Sequence, residues 1–121
     1  MTGIVEITIN GEVKQLKYAN FALEAYTKLT GADIGTIKEV SEDYSQLDMT
    51  SDIIYCGLVG SCRSKGEAVT FSKEDVNRWI DDVSMVDQLS AIKEFMNSVV
   101  KTTNEMLNAF KAMSGGEEKK K

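Results

Sequence analysis

The sequence predicts a mostly helical α+β fold, in which an N-terminal β-hairpin packs on a small helical bundle with a long C-terminal helix. The opening residues alternate apolar and polar side chains on either side of an Asn-Gly pair, as in a hairpin. Several later segments show helical spacing with cap residues. The last of them continues for about 30 residues without Pro or Gly.

A single domain is expected for a chain of 121 residues with 42% hydrophobic and 27% charged residues, because domains usually have about 100–150 residues. We assign residues 1–113 to this domain. Residues 1–18 form its hairpin, residues 20–83 its helical core and residues 84–113 its long helix. Residues 114–121, SGGEEKKK, are expected to be a flexible, charged tail.

The hairpin is predicted by the segment IVEITINGEVKQLKY. Val5, Ile7 and Ile9 alternate with polar residues, which gives the two-residue period of a half-buried strand. The Asn-Gly pair that follows tolerates the positive φ angles of a type I′ turn, and this turn places Val5 opposite Leu16. A hairpin edge that accepts a partner's strand is the functional alternative to a purely structural hairpin.

A first helix is predicted over NFALEAYTKLTG, with Asn20 as its cap and Gly31 as the left-handed residue that ends it. Its expected apolar contacts are Phe21, Leu23, Ala25, Tyr26 and Leu29. Beyond it, Ile34 and Ile37 indicate at most a short helix. The polar segment EDYSQLDMTSD, residues 42–52, is typical of a connection.

A buried central helix is predicted over SDIIYCGLVGSC, because nearly every side of it is apolar. Gly57 and Gly60 each weaken a helix by up to about 1 kcal/mol relative to Ala. We therefore expect them to allow the close approach of a neighbouring helix. Cys56 and Cys62 fall on different faces of this helix, which argues against a disulfide between them, and we interpret both as reduced, buried thiols.

The clearest helix start in the sequence lies in TFSKEDVNRWIDD. Ser72 and Asp75 form a variant of the capping box, and Phe71 and Val76 hold the positions of a hydrophobic staple. The expected inward face of this helix consists of Val76, Trp79 and Ile80. The acidic first turn suits the helix dipole, so we interpret it as structure rather than as a carboxylate site.

The long helix is predicted to begin at Ser84, which repeats the capping pattern with Asp87 and precedes an apolar stripe with spacings of three and four. The stripe consists of Leu89, Ile92, Met96, Val99, Thr103, Met106, Phe110 and Met113. The helix is roughly 45 Å long, whereas a chain of this size has a radius of gyration of about 14 Å. We expect the first half, with a second apolar row at Phe95 and Val100, to pack inside the domain. The distal half, from Val99 to Met113, is predicted to bind another chain.

The residues predicted to contact that partner are Met96, Val99, Met106, Leu107, Phe110 and Met113. Methionine suits an adaptable binding face, because its flexible side chain repacks around varied partners. The simpler alternative is a helix that docks on the other helices along its whole length.

Composition excludes several classes of function. A net charge of −5 argues against nucleic acid as the main partner. The chain has no His, and no other spacing singles out a catalytic pair, so we expect no enzyme and no catalytic, cofactor-binding or metal-binding residue. The longest apolar run, residues 53–59, is far short of the ~20 residues that cross a bilayer. With no signal-peptide pattern at the start, we expect a cytoplasmic protein without a membrane partner.

In their order and spacing, these segments resemble the tail assembly chaperones of long-tailed bacteriophages. The resemblance rests on ITINGEVKQLKY at 7–18, ALEAYTKLTG at 22–31, IIYCGL at 53–58 and TFSKEDVNRWI at 70–80, followed by a long helix and a short charged end. The last helix is longer and more regular than the family pattern. This difference indicates homo-oligomerisation as a further expectation.

The resemblance implies an acidic protein in the cytoplasm of the host bacterium that binds and solubilises the tape measure protein during tail tube assembly. It implies absence from the mature virion. Tail tube protein and a frameshifted, longer form of the chain are implied as further partners, and Lys119, Lys120 and Lys121 are compatible with an A-rich slippery run of codons. The alternatives are a structural subunit of a phage tail or connector, an oligomeric coiled-coil adaptor unrelated to phage, and a small hydrolase that uses Cys56 or Cys62.

Overall fold

The computed structural model describes residues 3–31 and 47–119, and for residues 47–49 and 114–119 only the backbone. Its elements are strands β1 (Ile4–Ile9) and β2 (Glu12–Lys17), helices α1 (Asn20–Thr30), α2 (Leu47–Ser64) and α3 (Lys73–Trp79), a 3₁₀ turn (Ile80–Asp82) and helix α4 (Met85–Lys119). The two-stranded sheet and the helices share one core. This architecture confirms the predicted α+β fold. The short helix predicted around Ile34 and Ile37 lies outside the described residues.

The hairpin has the predicted turn and register. Asn10 and Gly11 take φ angles of 53° and 82°, and Val5 pairs with Leu16 across the antiparallel strands. Ile7, Ile9 and Leu16 are buried, because alternate side chains of the strands point toward the helices.

The outer edge of β1 is covered by carboxylates from α4. The backbone N–H of Thr8 donates a hydrogen bond of 3.0 Å to Asp87 Oδ2. The backbone N–H of Gly3 donates one of 3.0 Å to Glu94 Oε1. These two acidic residues are one heptad apart on α4, so they lie on the same side of the helix and satisfy the edge of the sheet beside it.

Helix α1 ends as predicted, with Gly31 at φ 76° and its N–H bonded to the Thr27 carbonyl oxygen at 2.8 Å. The predicted cap at Asn20 is wrong. Ala19 holds the N-cap position without a side-chain hydrogen bond, because Asn20 is already the first helical residue. Leu23 and Tyr26 are buried in the core, whereas Phe21 and Leu29 are exposed at 42% and 41%. Phe21 instead lies beneath the guanidinium group of Arg63, 5.6 Å from its ring centroid.

Helix α2 is the buried centre of the molecule, as predicted. Ile53, Ile54 and Cys56 are fully buried. The expected polar connection through residue 52 is wrong for its last part, because α2 begins at Leu47. Tertiary partners satisfy its polar first turns, since Lys73 Nζ donates to Ser51 Oγ at 3.0 Å and lies 2.9 Å from an Asp52 carboxylate oxygen.

The glycines of α2 allow a close approach, but chiefly to the hairpin rather than to a helix. A Cβ atom added to Gly57 would lie 2.7 Å from the Tyr18 ring and 2.9 Å from Leu16 Cβ. One added to Gly60 would overlap the carbonyl oxygen of Lys17 and would also touch Ala22. These two positions therefore let the central helix lie directly on β2 and on the start of α1.

Helix α3 begins with the predicted capping box. The Ser72 hydroxyl accepts a hydrogen bond from the Asp75 N–H, and the Asp75 carboxylate accepts one from the Ser72 N–H. Val76 is buried. The ring of Phe71 packs between Tyr55 and Trp79, with ring centroids 5.9 and 6.0 Å away.

Helix α4 starts at the predicted cap, where the Ser84 hydroxyl accepts from the Asp87 N–H at 3.1 Å. The Asp87 carboxylate does not return the bond to Ser84, because it binds Thr8 of the sheet instead. The expected end at Met113 is six residues early, since α4 continues to Lys119 through Gly115 and Gly116.

Candidate interaction surface

Helix α4 enters the core along one row of side chains. Ala91, Phe95 and Val99 are fully buried, and their spacing of four keeps them on one side of the helix. The Phe95 ring packs against the rings of Tyr18 and Tyr26, with centroids 5.9 and 4.8 Å away. This row fixes the orientation of α4 and therefore which of its other faces meet solvent.

The core ends before the helix does. Every residue from Thr103 to Met113 is exposed, whichever side of α4 it occupies. Most of the stability of a helix in a protein comes from the packing of its apolar face. The segment from 103 to 113 therefore has little support from the domain, and contact with another chain would stabilise it.

The exposed segment carries a concentration of large apolar side chains, which we call the distal face. Its members and exposed fractions are Met106 at 44%, Leu107 at 52%, Phe110 at 63% and Met113 at 83%. Scattered surface hydrophobic residues are normal, whereas a contiguous group on one helix is typical of an interaction site. All four belong to the set that the sequence predicts for partner contact.

Two other predicted contact residues belong to the domain itself. Val99 is fully buried and ends the core row of α4. Met96 is half-buried and packs against the core. The sequence assigns Val99 to the interaction surface because the regular stripe gives no indication of where the domain stops. In the structure Val99 is buried, so the exposed part of the stripe is interrupted there.

The first half of the stripe is not fully internal either. Leu89 is 57% exposed, and so are its neighbours Met85 at 64% and Val86 at 72%. Val100, which was expected to pack inside the domain, is 43% exposed. Sequence reasoning missed these residues as candidates. The sequence signal that could have identified them is a second apolar row of α4, with spacings of three and four, beside the row that reaches the core.

The charged residues Lys101 and Glu105 of α4 lie away from the distal face, whereas Lys111 borders it, four residues after Leu107. On a helical projection, Lys101 and Glu105 lie roughly on the side opposite Phe110. Lys111 is the charged residue nearest to it in sequence. The distal face is therefore apolar and uncharged at its centre, which suits contact with an apolar partner.

In the described part of the chain, two open grooves lie outside this surface. One, of about 600 Å³, lies between the start of α1 and α4 and is polar, with Asn20, Glu94, Lys101 and Glu105 among its lining residues. The other, of about 550 Å³, lies beside β2, and its lining includes Val13, Leu58, Phe71 and Trp79. In the described part of the chain, no group of His, Cys, Asp and Glu could hold a metal ion.

The environment of Cys56 favours the neutral, packed thiol over the reactive thiolate. Burial, with a smaller contribution from the nearby charge of Asp52, raises the pKa of Cys56 to about 12. The nucleophile in thiol chemistry is the thiolate, which this environment suppresses. Cys62 is half-buried rather than buried as the sequence suggested.

No known protein family, curated protein or solved structure matches this chain. Within residues 3–31 and 47–119, each helix is too short or too polar to span a lipid bilayer.

Proposed function

We propose that the chain is a non-enzymatic tail assembly chaperone that binds and solubilises a phage tape measure protein through the distal face of α4. The observation that carries this proposal is the exposed segment from Thr103 to Met113, with large apolar side chains at Met106, Leu107, Phe110 and Met113. The resemblance in the order of the segments supplies the identity of the partner.

The chemistry of the distal face fits a long helical partner. Its apolar residues recur with spacings of three and four, as in helices that bind in the groove of another helical protein. The partner would bury the exposed rings and thioethers and stabilise the last turns of α4. Two methionines among four apolar residues allow the face to repack against different segments of a long partner.

The charge of the domain fits the task of keeping that partner dispersed. The chain has a formal net charge of −5. Several copies bound along one long protein would repel those on neighbouring complexes and oppose aggregation. In this proposal the chain acts in the cytoplasm of the host bacterium, leaves before the virion is complete, and can also meet tail tube protein and a frameshifted longer form of itself.

A structural subunit of a phage tail or connector is the second candidate, because the same exposed face would serve permanent assembly. A coiled-coil adaptor unrelated to phage would use it in the same way. Mass spectrometry of purified particles separates the first of these from a chaperone, which is expected to be absent from them. The DNA that follows the gene separates the second, since a chaperone gene precedes a very long helix-coding gene.

The direct test is co-expression with the tape measure protein that the proposed function places after this gene. Wild-type chain is expected to keep that protein in the supernatant. Phe110→Asp is expected to lose most of this effect, because it places a charge in the centre of the apolar contact.

Asn108→Asp is the matched control, because it adds the same charge within the same stretch of α4 but roughly on the opposite side of the helix. It is expected to behave as wild type, and both variants are expected to keep the helical circular dichroism of the parent. Equal activity of Phe110→Asp and wild type would refute the proposed surface. A wild-type chain that leaves the tape measure protein insoluble would refute the proposed function.

A further inference from the structure

The exposed apolar residues of α4 are not confined to its distal half. A row of alternating three- and four-residue spacings runs along the outside of the helix, beside the row that enters the core. We call this row the outer seam. It consists of Val86, Leu89, Lys93, Met96, Val100, Thr103, Leu107 and Phe110. At 1.5 Å per residue the seam is roughly 36 Å long.

The seam is exposed at both ends and partly covered by the core in its middle. Val86 and Leu89 are 72% and 57% exposed at one end, and Leu107 and Phe110 are 52% and 63% exposed at the other. In the middle, Val100 is 43% exposed and Met96 is half-buried. A strip this long and narrow has the shape that a second long helix covers.

The positions of the polar residues within the outer seam indicate which partner helix can cover it. Among the eight seam positions only Lys93 and Thr103 are not large and apolar. They lie at equal distances on either side of position 98. An antiparallel copy of α4 centred on that position therefore places the Lys93 of one copy beside the Thr103 of the other.

We propose that the outer seam pairs with the outer seam of a second copy of this chain, in an antiparallel dimer centred on position 98. The same centre brings Val86 opposite Phe110, Leu89 opposite Leu107 and Met96 opposite Val100. Successive seam residues fall alternately into two columns along the helix. Each pair joins a residue of one column to a residue of the other column, as a two-fold axis between antiparallel helices requires.

Other arrangements of two copies are worse matched. A parallel pair in register would place Lys93 directly against the Lys93 of the second copy, and like charges at such a contact are destabilising. Shifting the antiparallel pair by one heptad places Lys93 against Met96 or Phe110 and leaves one end of the seam uncovered. In the centred pair, the Lys93 ammonium can instead donate to the Thr103 hydroxyl. A polar contact of this kind inside an apolar seam specifies register.

The described part of the domain packs chiefly on another side of α4. The core row of α4, Ala91, Phe95 and Val99, lies about 120° around the helix from the outer seam. In an antiparallel pair, the described part of each domain therefore lies to one side of the contact between the two helices.

Sedimentation equilibrium of the full chain tests the pairing without any other protein, so its result does not depend on the proposed chaperone function. The expected mass rises with concentration from 13.4 kDa to twice that value. Leu89→Lys and Val86→Lys are each expected to stay monomeric and to keep the parent's circular dichroism, because both side chains are exposed in the single copy. Asn108→Lys, off the seam on the same helix, is the matched control and is expected to dimerise as the parent does.

Lys93→Leu is expected to tighten the dimer by about tenfold or more, since it adds an apolar residue at the polar pair. A mass of 13.4 kDa up to ~1 mM chain would overturn the proposal. A dimer weakened as much by Asn108→Lys as by Leu89→Lys would also overturn it.

Cysteine cross-linking tests the orientation. In a Cys62→Ser background, Leu89→Cys mixed with Leu107→Cys is expected to give a cross-linked dimer under mild oxidation, whereas neither variant alone does. Cross-linking of Leu89→Cys with itself would show a parallel pair and would contradict the antiparallel arrangement.

Discussion

At the scale of single residues, the burial of Cys56 suppresses the reactivity of its thiol. Its side chain is fully buried in the centre of α2. Burial raises its pKa from the ordinary value of 9.0 to about 12, with the charge of Asp52 as the next cause. The folded protein therefore keeps this thiol neutral at a pH where the thiol of an unfolded chain would ionise.

This difference predicts a loss of stability in alkali. Well below pH 9 the Cys56 thiol is neutral in both the folded and the unfolded chain, so its ionisation does not lower the free energy of unfolding. As the pH rises from 9 toward 12, ionisation favours the unfolded chain. By pH 10 the free energy of unfolding is expected to fall by roughly 1 kcal/mol through this group. Urea denaturation between pH 7 and pH 10 measures the fall.

Two variants make the measurement specific to Cys56. Cys56→Ala is expected to be less stable at pH 7, because it leaves a small cavity, but to show a flatter pH dependence up to pH 10. Cys62→Ala is expected to keep the slope of the parent. A Cys56→Ala variant as steep as the parent would show that Cys56 is not the titrating group. From near pH 10, Tyr18 and Tyr26 add to the fall, because burial raises the pKa of Tyr18 well above its ordinary value and burial with the charge of Asp52 raises the pKa of Tyr26 to about 12.

At the scale of elements, the junction of α4 with β1 is a small set of directed contacts. Asp87 is placed by the first turn of α4, whose cap Ser84 fixes where that turn begins. Its carboxylate accepts the outward N–H of Thr8. The acidic side chain serves two purposes here, since a negative charge in the first turn also suits the helix dipole.

Replacement of Asp87 by Ala is therefore expected to lower the free energy of unfolding by about 1–2 kcal/mol, the combined size of a hydrogen bond and a helix-dipole contact. Asp87→Asn keeps an acceptor oxygen and loses only the charge, so its loss is expected to be about half as large. Glu105→Ala, an exposed acidic residue farther along α4, is the control and is expected to change the free energy by less than about 0.5 kcal/mol. Equal losses for the Ala and Asn variants would mean that the bond to Thr8 contributes nothing.

The elements also show which parts of the fold were predictable. The Asn-Gly turn, the Gly31 helix end and the Ser72 capping box depend on a few adjacent residues, and each was predicted correctly. The start of α2 was not, because the partner that satisfies Ser51 and Asp52 is Lys73, which is distant in sequence. Local sequence patterns show contacts between neighbouring residues but not contacts between residues that are distant in sequence.

The candidate surface was predictable in its distal part only. Helix α4 has two neighbouring apolar rows, and the sequence does not show which one the hairpin and α2 will cover. The structure places Ala91, Phe95 and Val99 inward and leaves Leu89 and Val100 outside. Met106, Leu107, Phe110 and Met113 are exposed, which agrees with the expectation that part of the long helix extends past the core.

At the scale of the whole molecule, a small domain carries a helix that outruns its core. The distal face and the outer seam share Leu107 and Phe110, so one copy cannot pair with a second copy and hold a partner through these residues at the same time. A dimer of free chains would shield apolar side chains that a long helical partner later covers.

Hydrogen–deuterium exchange tests the central claim, that the distal face of α4 holds the partner. The measurement is best made on Leu89→Lys, which is expected to be monomeric, with and without a phage tape measure protein. We predict slower exchange for the amides of residues 103–113 in the complex, with the amides of β1, β2 and α2 unchanged. Unchanged exchange over 103–113, with new protection around Phe71 and Trp79 instead, would contradict the account.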